Sequence, residues 1–205
     1  HKITIKDKMA LPHSLGHFYT ALCQFIGFDQ FGEEYKVMGL APYGEDVFEA
    51  EMREIVRLPS NKWFELNPDY FNIYKGMSEA QLSDDGPMSL GSLYSPALSK
   101  LLGSARVRGE DITQREKDLA KSTQVHFERA ALHSLQAINQ DTPIENLVMA
   151  GGCALNGVMN ARIYRDTPVQ KMYLQCASSD DGTAIGAAYA CWHLKLGNSK
   201  RFHMK

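Results

Sequence analysis

A chain of 205 residues is long enough to bury a sizeable core, and 44% hydrophobic with 22% charged residues is ordinary for a globular protein. The formal net charge of −2, without a long block of one sign, argues against a general nucleic-acid-binding protein. No apolar run approaches membrane-spanning length and nothing resembles a signal peptide, so we expect no membrane partner.

The first predicted element is a helix over the apolar stripe in "SLGHFYTALCQFIGF", with Ser14 as N-cap and Gly27 as its stop. His13 and His17 have the spacing of an HxxxH pair, but this helix start falls between them, so we do not expect them to share a helix face as metal ligands would. The segment "GEEYKVMG" then reads as a charged loop, and Pro42, Tyr43 and Gly44 read as a turn. A short amphipathic helix opened by Asp46 follows.

Residues 59–90 differ from the rest of the chain because they are aromatic at first and then rich in polar turn residues. We expect two short strands joined around Asn67–Pro68, in a segment that is an insert and not part of the core. From Thr113 the pattern becomes regular. Thr113 and Glu116 form a T-x-x-E capping box, which predicts the start of a long helix containing His126 and His133 as packed or solvent-facing residues.

Two units of strand, turn and helix then follow one another. "NLVMA", "GGCALN" and "GVMNARIY" make the first unit, and "QKMYLQC", "ASSDDG" and "TAIGAAYACWHLKLG" make the second. This order predicts an α/β fold with a parallel sheet. Because the crossover rule places both helix N-termini at one edge of the sheet, the two turns should meet in one cleft.

The notable residues of these turns each have two interpretations, one structural and one functional. Gly151 and Gly152 either approach an anionic ligand or simply form a tight turn, and Asn156 with Asn160 favours a site because Asn is a poor helix former. One acid of Asp180–Asp181 can serve the helix terminus, which leaves the other for a metal or a ribose hydroxyl. Glu34 and Lys36 are either solvated surface charges or part of the same cleft.

The four cysteines, Cys23, Cys153, Cys176 and Cys191, form no CxxC pair, and we expect reduced thiols in a cytoplasmic protein. Both ends of the chain look cut, so we also expect a fragment of a longer protein.

Taken together, "HSLGHFYTALCQFIGF…EEYKVMGLAPYG", "ITQREKDLAKSTQ", "LVMAGGCALNGVMNARI" and "ASSDDGTAIGAAYA" resemble the O-carbamoyltransferases of nodulation-factor and antibiotic biosynthesis. The resemblance covers nearly the whole chain, is weakest over residues 59–90, and makes residues 1–205 a piece of the family's N-terminal domain. It implies an actin/hexokinase/Hsp70-like α/β fold, of which this chain is the C-terminal lobe, with a mixed sheet and packed helices.

The resemblance further implies that carbamoyl phosphate and ATP yield carbamoyl-adenylate, from which the carbamoyl group passes to the hydroxyl of a small-molecule acceptor. Residue by residue, it implies nucleotide binding by Gly151, Gly152 and Asn156, with Glu34 and Lys36 facing the same cleft. Asp180 matches a ligand of a divalent metal of iron type, which would polarise the carbamoyl carbonyl. The catalytic base is not identifiable.

The family's paired metal histidines, its first phosphate-binding hairpin and its C-terminal domain have no counterpart in this chain. The resemblance therefore implies that the partners of residues 1–205 are the N-terminal half and the C-terminal domain of the same protein, and that the chain alone is inactive. Three alternatives stay open: a tRNA threonylcarbamoyl transferase, a sugar or acetate kinase of the same superfold, and a nucleotide-binding remnant without turnover.

Overall fold

The computed structural model describes residues 3–60, 63–82 and 88–201. Within these residues there are eight α-helices, of which α6 is the long central one: α1 (Leu15–Phe25), α2 (Glu34–Leu40), α3 (Glu49–Ile55), α4 (Ile73–Ser78), α5 (Pro96–Leu102), α6 (Gln114–Asp141), α7 (Gly157–Asp166) and α8 (Gly182–Ala190). The described strands are β1 (Val56–Arg57), β2 (Glu65–Leu66), β3 (Asn146–Met149) and β4 (Lys171–Leu174). None of the described helices combines the length and apolar character that crossing a membrane would require.

Helix α1 begins where the sequence predicts it. The Ser14 hydroxyl accepts a hydrogen bond from the His17 N–H at 3.3 Å, and Gly27 has the positive φ of 89° that ends the helix. His13 precedes this start, and its Nδ1 accepts from the Leu66 N–H at 3.1 Å. The two histidines therefore do not share a helix face, and His13 has a structural partner.

The charged segment after α1 forms helix α2, so the expected loop is wrong. Glu34 lies in the first turn, where a negative charge complements the helix dipole, and Val37 is fully buried. Helix α3 also differs slightly from expectation, since it begins at Glu49 and not at Asp46. Asp46 instead forms an ion pair with Arg129 of α6, at 3.3 Å.

Helix α6 is the predicted long helix, and its capping box is confirmed: the Glu116 carboxylate accepts from the Thr113 N–H at 3.0 Å. Helices α1, α2, α3 and α7 and the 3₁₀ helix Ala41–Tyr43 all pack against it. Polar side chains are therefore buried along its middle: Ser122, Thr123, Gln124, His126 and Glu128.

The segment 59–90 contributes to the core, against expectation. Phe64, Leu66, Tyr70, Phe71 and Ile73 all belong to the buried cluster. Strand β2 pairs with β1, outside the segment, in antiparallel register, and the chain after Asn67 forms a 3₁₀ turn where a second strand was expected. Residues 61–62 and 83–87 of the segment lie outside the described residues. That the segment is an insert relative to the family stays a prediction.

The two strand–turn–helix units are confirmed. Strands β3 and β4 are parallel, with Leu147 opposite Met172 and Met149 opposite Leu174. Alternate side chains of both strands are partly buried, and the others, such as Val148 and Tyr173, are exposed. The described part of the chain is therefore an α/β structure with one antiparallel and one parallel pair of strands.

Candidate functional site

Two turns meet at the carboxyl ends of β3 and β4, as the topology rule predicts. The first runs from Gly151 to Asn156 and includes the 3₁₀ helix Gly152–Leu155, and the second runs from Ala177 to Asp181. The Gly151 N–H donates to the carbonyl oxygen of Ser178 at 2.6 Å, which joins the two turns directly. In parallel α/β sheets this edge is the usual place for a ligand.

The glycines of the first turn have distinct roles. Gly151 has φ of 98°, which favours glycine, so its place in a tight turn is confirmed, and its role in nucleotide binding stays a prediction. Gly152 has no such requirement, and the space next to its Cα is open apart from the Ser179 hydroxyl, 3.9 Å from where a Cβ would lie. As the first residues of a 3₁₀ helix, Gly152 and Cys153 have N–H groups without an intrahelical partner, which suits an anion.

Cys153 lies in this turn but is unsuited to act as a nucleophile. Burial raises the pKa of its thiol to about 11, so the group is protonated at neutral pH. A nucleophile at this edge of the sheet therefore has to be sought among other groups.

Asn156 is held by three hydrogen bonds to the protein. Its Oδ1 accepts from the Met159 N–H at 2.9 Å, which makes it the N-cap of α7 and not a residue inside the helix. Its amide also pairs with that of Gln124 through both of its polar atoms, at 2.9 and 3.1 Å. Asn156 therefore has a structural role as the N-cap of α7. Its role in nucleotide binding stays a prediction.

Asp180 and Asp181 lie at the open end of the second turn, and both are exposed. Asp181 occupies the N-cap position of α8 without forming a side-chain hydrogen bond. It therefore stabilises the N-terminus of α8, as expected, only through its negative charge. The main-chain carbonyl of Asp180 accepts from the Thr183 N–H and hydroxyl. No described residue hydrogen-bonds to either carboxylate, so both stand free to meet a ligand.

Glu34 and Lys36 lie on α2, and no hydrogen bond between described residues links either side chain directly to the glycine turn. Glu34 accepts from the Thr20 hydroxyl at 2.8 Å, and Lys36 pairs with Glu33 while lying over the Phe28 ring at 5.5 Å. Phe28 follows the C-terminal end of α1, whereas the N-terminal end of α1 packs against the short helix Gly152–Leu155. Lys36 is thus placed toward the C-terminal end of α1 and the glycine turn toward its N-terminal end, and nucleotide binding by Glu34 and Lys36 stays a prediction.

The ion pairs around Glu33 account for the placement of Lys36. Glu33 is buried, which raises the pKa of its carboxyl, but hydrogen bonds from Lys36 and Arg108 outweigh this and hold the pKa below its usual value. Lys36 thus pairs its positive charge with the buried Glu33 carboxylate, a role that its position in the sequence did not reveal.

A metal ion would need several ligand side chains close together. No three His, Cys, Asp or Glu side chains within residues 3–60, 63–82 and 88–201 are grouped so that they could hold an ion. Asp180 supplies one carboxylate, whereas a protein metal site needs about three or more ligands. These residues alone do not make a metal centre.

A surface cavity of about 490 Å³ lies elsewhere, between His13, Trp63, Phe64 and the C-terminal part of α6. None of the predicted site residues lines it. The candidate site is therefore the open edge at the two turns and not this cavity.

The structure adds a set of residues that the sequence did not single out. Tyr19, Gln124, Glu128 and Arg162 form a hydrogen-bonded chain that reaches Asn156. The one available signal was the spacing of Gln124 and Glu128, polar residues four apart on the buried side of a long amphipathic helix. Their partners on α1 and α7 lie too far along the chain for a local pattern to reveal them.

Parallel strands followed by glycine-bearing turns and helices define an α/β protein, a class in which ligands usually bind at the carboxyl ends of the strands. The chain belongs to the family described as "Carbamoyltransferase N-terminus", whose sequence profile matches residues 1–189. The resemblance to the carbamoyltransferases drawn from the motifs is thereby confirmed.

Individual relatives agree with this assignment. An uncharacterized protein of Synechocystis sp. is 35% identical over 97% of the chain and 30% of its own length. The nodulation protein NolNO of Sinorhizobium fredii is 33% identical over 90% of the chain and 24% of its own length. The nodulation protein NolO of Bradyrhizobium diazoefficiens is 29% identical over 86% of the chain and 28% of its own length. The chain thus spans less than a third of the length of these relatives.

Proposed function

We propose that this chain is part of an ATP-dependent O-carbamoyltransferase and that it binds the nucleotide at the carboxyl ends of β3 and β4. The supporting observation is the bond between Gly151 and Ser178, which brings two strand-end turns together in a member of the carbamoyltransferase family. The parallel strand pair and its two following helices also support a lobe of the actin/hexokinase/Hsp70-like fold. Four free thiols fit a cytoplasmic location.

In the proposed reaction the donor is carbamoyl-adenylate, formed from ATP, carbamoyl phosphate and water with release of pyrophosphate and phosphate. The hydroxyl oxygen of a small-molecule acceptor forms a bond to the carbamoyl carbon, and the bond from that carbon to the phosphate oxygen of the adenylate breaks. AMP leaves with the electron pair of that bond, and the hydroxyl proton passes to a base. No described residue is assigned as that base.

We assign the turns roles that fit their geometry. The Gly152 and Cys153 N–H groups would bind a phosphate oxygen, because the first N–H groups of a helical turn attract anions. Glu34 and Lys36 would act from α2 only if further polypeptide extends the cleft toward them.

Asp180 would give one carboxylate ligand to a divalent metal of iron type, completed by residues from elsewhere in the polypeptide. The test is elemental analysis of the full-length protein, in which Asp180→Asn should lower the metal content and Asp181→Asn should not. Equal metal content in the two variants would remove Asp180 from the site.

The activity is tested on the full-length protein with ATP, carbamoyl phosphate and a panel of candidate alcohols. We expect AMP release that depends on the alcohol, together with a carbamoylated product. Phosphoryl transfer to the alcohol would indicate a kinase, and nucleotide binding without AMP release would indicate a binding protein without turnover.

The nucleotide site is tested with Gly152→Ala, which places a methyl group where a phosphate would approach. Nothing in the described structure lies within 3.4 Å of that methyl group, so we expect weaker nucleotide binding by about tenfold without loss of stability. Gly157→Ala is the matched control, because its Cβ would also lie in open space, at the start of α7. Calorimetric titration with ATP measures both, and equal affinity in the two variants would contradict the site.

A further inference from the structure

The Gln124 side chain lies where α1, α6 and α7 meet, and its amide is fully hydrogen-bonded. Its Oε1 accepts from the Tyr19 hydroxyl at 2.7 Å and from Asn156 Nδ2 at 2.9 Å. Its Nε2 donates to Glu128 Oε1 at 2.7 Å and to Asn156 Oδ1 at 3.1 Å. A glutamine amide offers two donor hydrogens and two acceptor sites, so all four are taken.

Glu128 determines which way this amide points. A carboxylate can only accept, so the Gln124 NH₂ group has to face it, and the Gln124 oxygen has to face Tyr19 and Asn156. Glu128 is buried, and its second oxygen accepts from Arg162 at 2.9 Å, which keeps the charge paired. Reversing the Gln124 amide would set its oxygen against a buried carboxylate.

The orientation of the Gln124 amide fixes that of the Asn156 amide, because the two amides bond to each other through both of their polar ends. Asn156 Oδ1 is thereby kept facing the Met159 N–H, which it caps. Asn160, one turn further along α7, donates to the Ala154 carbonyl at 2.7 Å. The turn from Gly151 to Asn156 is thus tied to α6 and α7 at one end and to Ser178 at the other.

We propose that Gln124, backed by the Glu128–Arg162 pair, is a positioning residue for the Gly151–Gly152 turn, which it holds through Asn156. It does not touch the nucleotide; it sets the direction of the N–H groups that would bind a phosphate. This inference rests on the nucleotide site proposed above. Displacement of a binding group has a large effect, since about 1 Å of misplacement can lower an enzyme's rate by roughly 100-fold.

The experiment compares Gln124→Leu with Gln136→Leu in the full-length protein. Both changes remove one amide from α6, but Gln136 is exposed and Gln124 is buried. Two quantities are measured: the Kd for ATP by calorimetric titration, and the hydrogen exchange of amides in residues 150–160. For Gln124→Leu we expect at least a tenfold higher Kd and faster exchange at Met159 and Gly151, with the KM for the acceptor alcohol unchanged.

Gln136→Leu should match the wild type in every measurement. Should Gln124→Leu not fold, Tyr19→Phe removes a single hydrogen bond to the same amide and should shift both quantities in the same direction by less. A folded Gln124→Leu protein with wild-type Kd and wild-type exchange over residues 150–160 would overturn the proposal.

The two readouts separate this inference from the proposed function. If the wild-type protein binds no ATP, the nucleotide site is wrong, and the exchange data still decide the role of Gln124. In that case faster exchange over 150–160 in Gln124→Leu supports positioning of the turn, and unchanged exchange refutes it.

Discussion

Gly44 shows at the scale of a single residue why the motif "APYG" ends as it does. It follows the 3₁₀ helix Ala41–Tyr43 and lies against the backbone of α6, where a Cβ would overlap the carbonyl oxygen of Lys117. Its φ of −115° is open to any residue, so close packing and not backbone freedom requires the glycine. Gln114 and Asp118 of α6 bond to the main chain of Tyr43 and Glu45 and hold the two segments together.

Gly44→Ala should therefore lower the free energy of unfolding by about 1–3 kcal/mol, the usual cost of forcing extra volume into a packed contact. Gly39→Ala is the control, because that glycine lies in α2 with nothing within 4 Å of its Cβ direction. Alanine there should stabilise the protein by roughly 0.5–1 kcal/mol through its higher helix propensity. Urea unfolding measures both, and equal effects would show that α6 can move away from Gly44.

Among the elements, helix α6 carries a buried histidine, His126, whose surroundings favour the neutral ring. The Nε2 of His126 lies 2.8 Å from the carbonyl oxygen of Val56, and because a carbonyl only accepts, that nitrogen bears the proton. Its Nδ1 is buried without a partner among the described residues. Burial lowers the pKa of His126, as do Arg129 and Arg53, while the Val56 carbonyl and Asp46 partly oppose this.

We predict that the protein loses stability as the pH falls below about 6.5, the ordinary histidine pKa. Because the folded-state pKa is lowered, the unfolded chain binds more protons in this range, so stability is complete above pH 6.5 and declines toward the folded-state pKa. His17 adds to the effect in the same direction, since burial lowers its pKa too. His126→Gln should reduce the slope of unfolding free energy against pH between 7 and 5. An unchanged slope would mean that His126 is not responsible.

At the scale of the whole molecule, burial is uneven along the chain. The hydrophobic cluster is drawn mainly from residues before 131, and Met159 and Ile163 are its described members beyond that point. None of the nine residues of α8 is buried, although the helix is almost wholly apolar. Ile185, Tyr189, Trp192 and Leu196 follow helical spacing and are 36–62% exposed, which makes an apolar stripe on the surface.

We predict that the 205-residue chain self-associates through this stripe, because contiguous exposed apolar surface favours association in water. Light scattering coupled to size-exclusion chromatography should show a mass that rises with concentration. The double variant Ile185→Glu with Leu196→Glu should shift the chain toward the monomer. Val107→Glu, at another exposed apolar position, should leave the association unchanged. A monomer at every concentration would contradict the prediction.

Much of the local structure was readable from neighbouring residues. Ser14 and Thr113 mark helix starts because their side chains bond to main-chain groups three residues away, a signal contained within one turn. The meeting of Gly151 with Ser178 was also readable, since the handedness of parallel connections places successive turns at one edge. The resemblance to the carbamoyltransferases was also readable, since it rested on short stretches spread along the chain, and the family profile matches residues 1–189.

Other features depended on contacts between distant parts of the chain. Segment 34–40 is helical because Val37 is buried against its neighbours, and Lys36 points to Glu33 because a buried carboxylate needs a cation. The cluster of Tyr19, Gln124 and Asn156 joins three helices separated by 105 and 32 residues. No local periodicity encodes such a cluster, because its hydrogen bonds exist only once α1, α6 and α7 have packed together and excluded water from the groups between them.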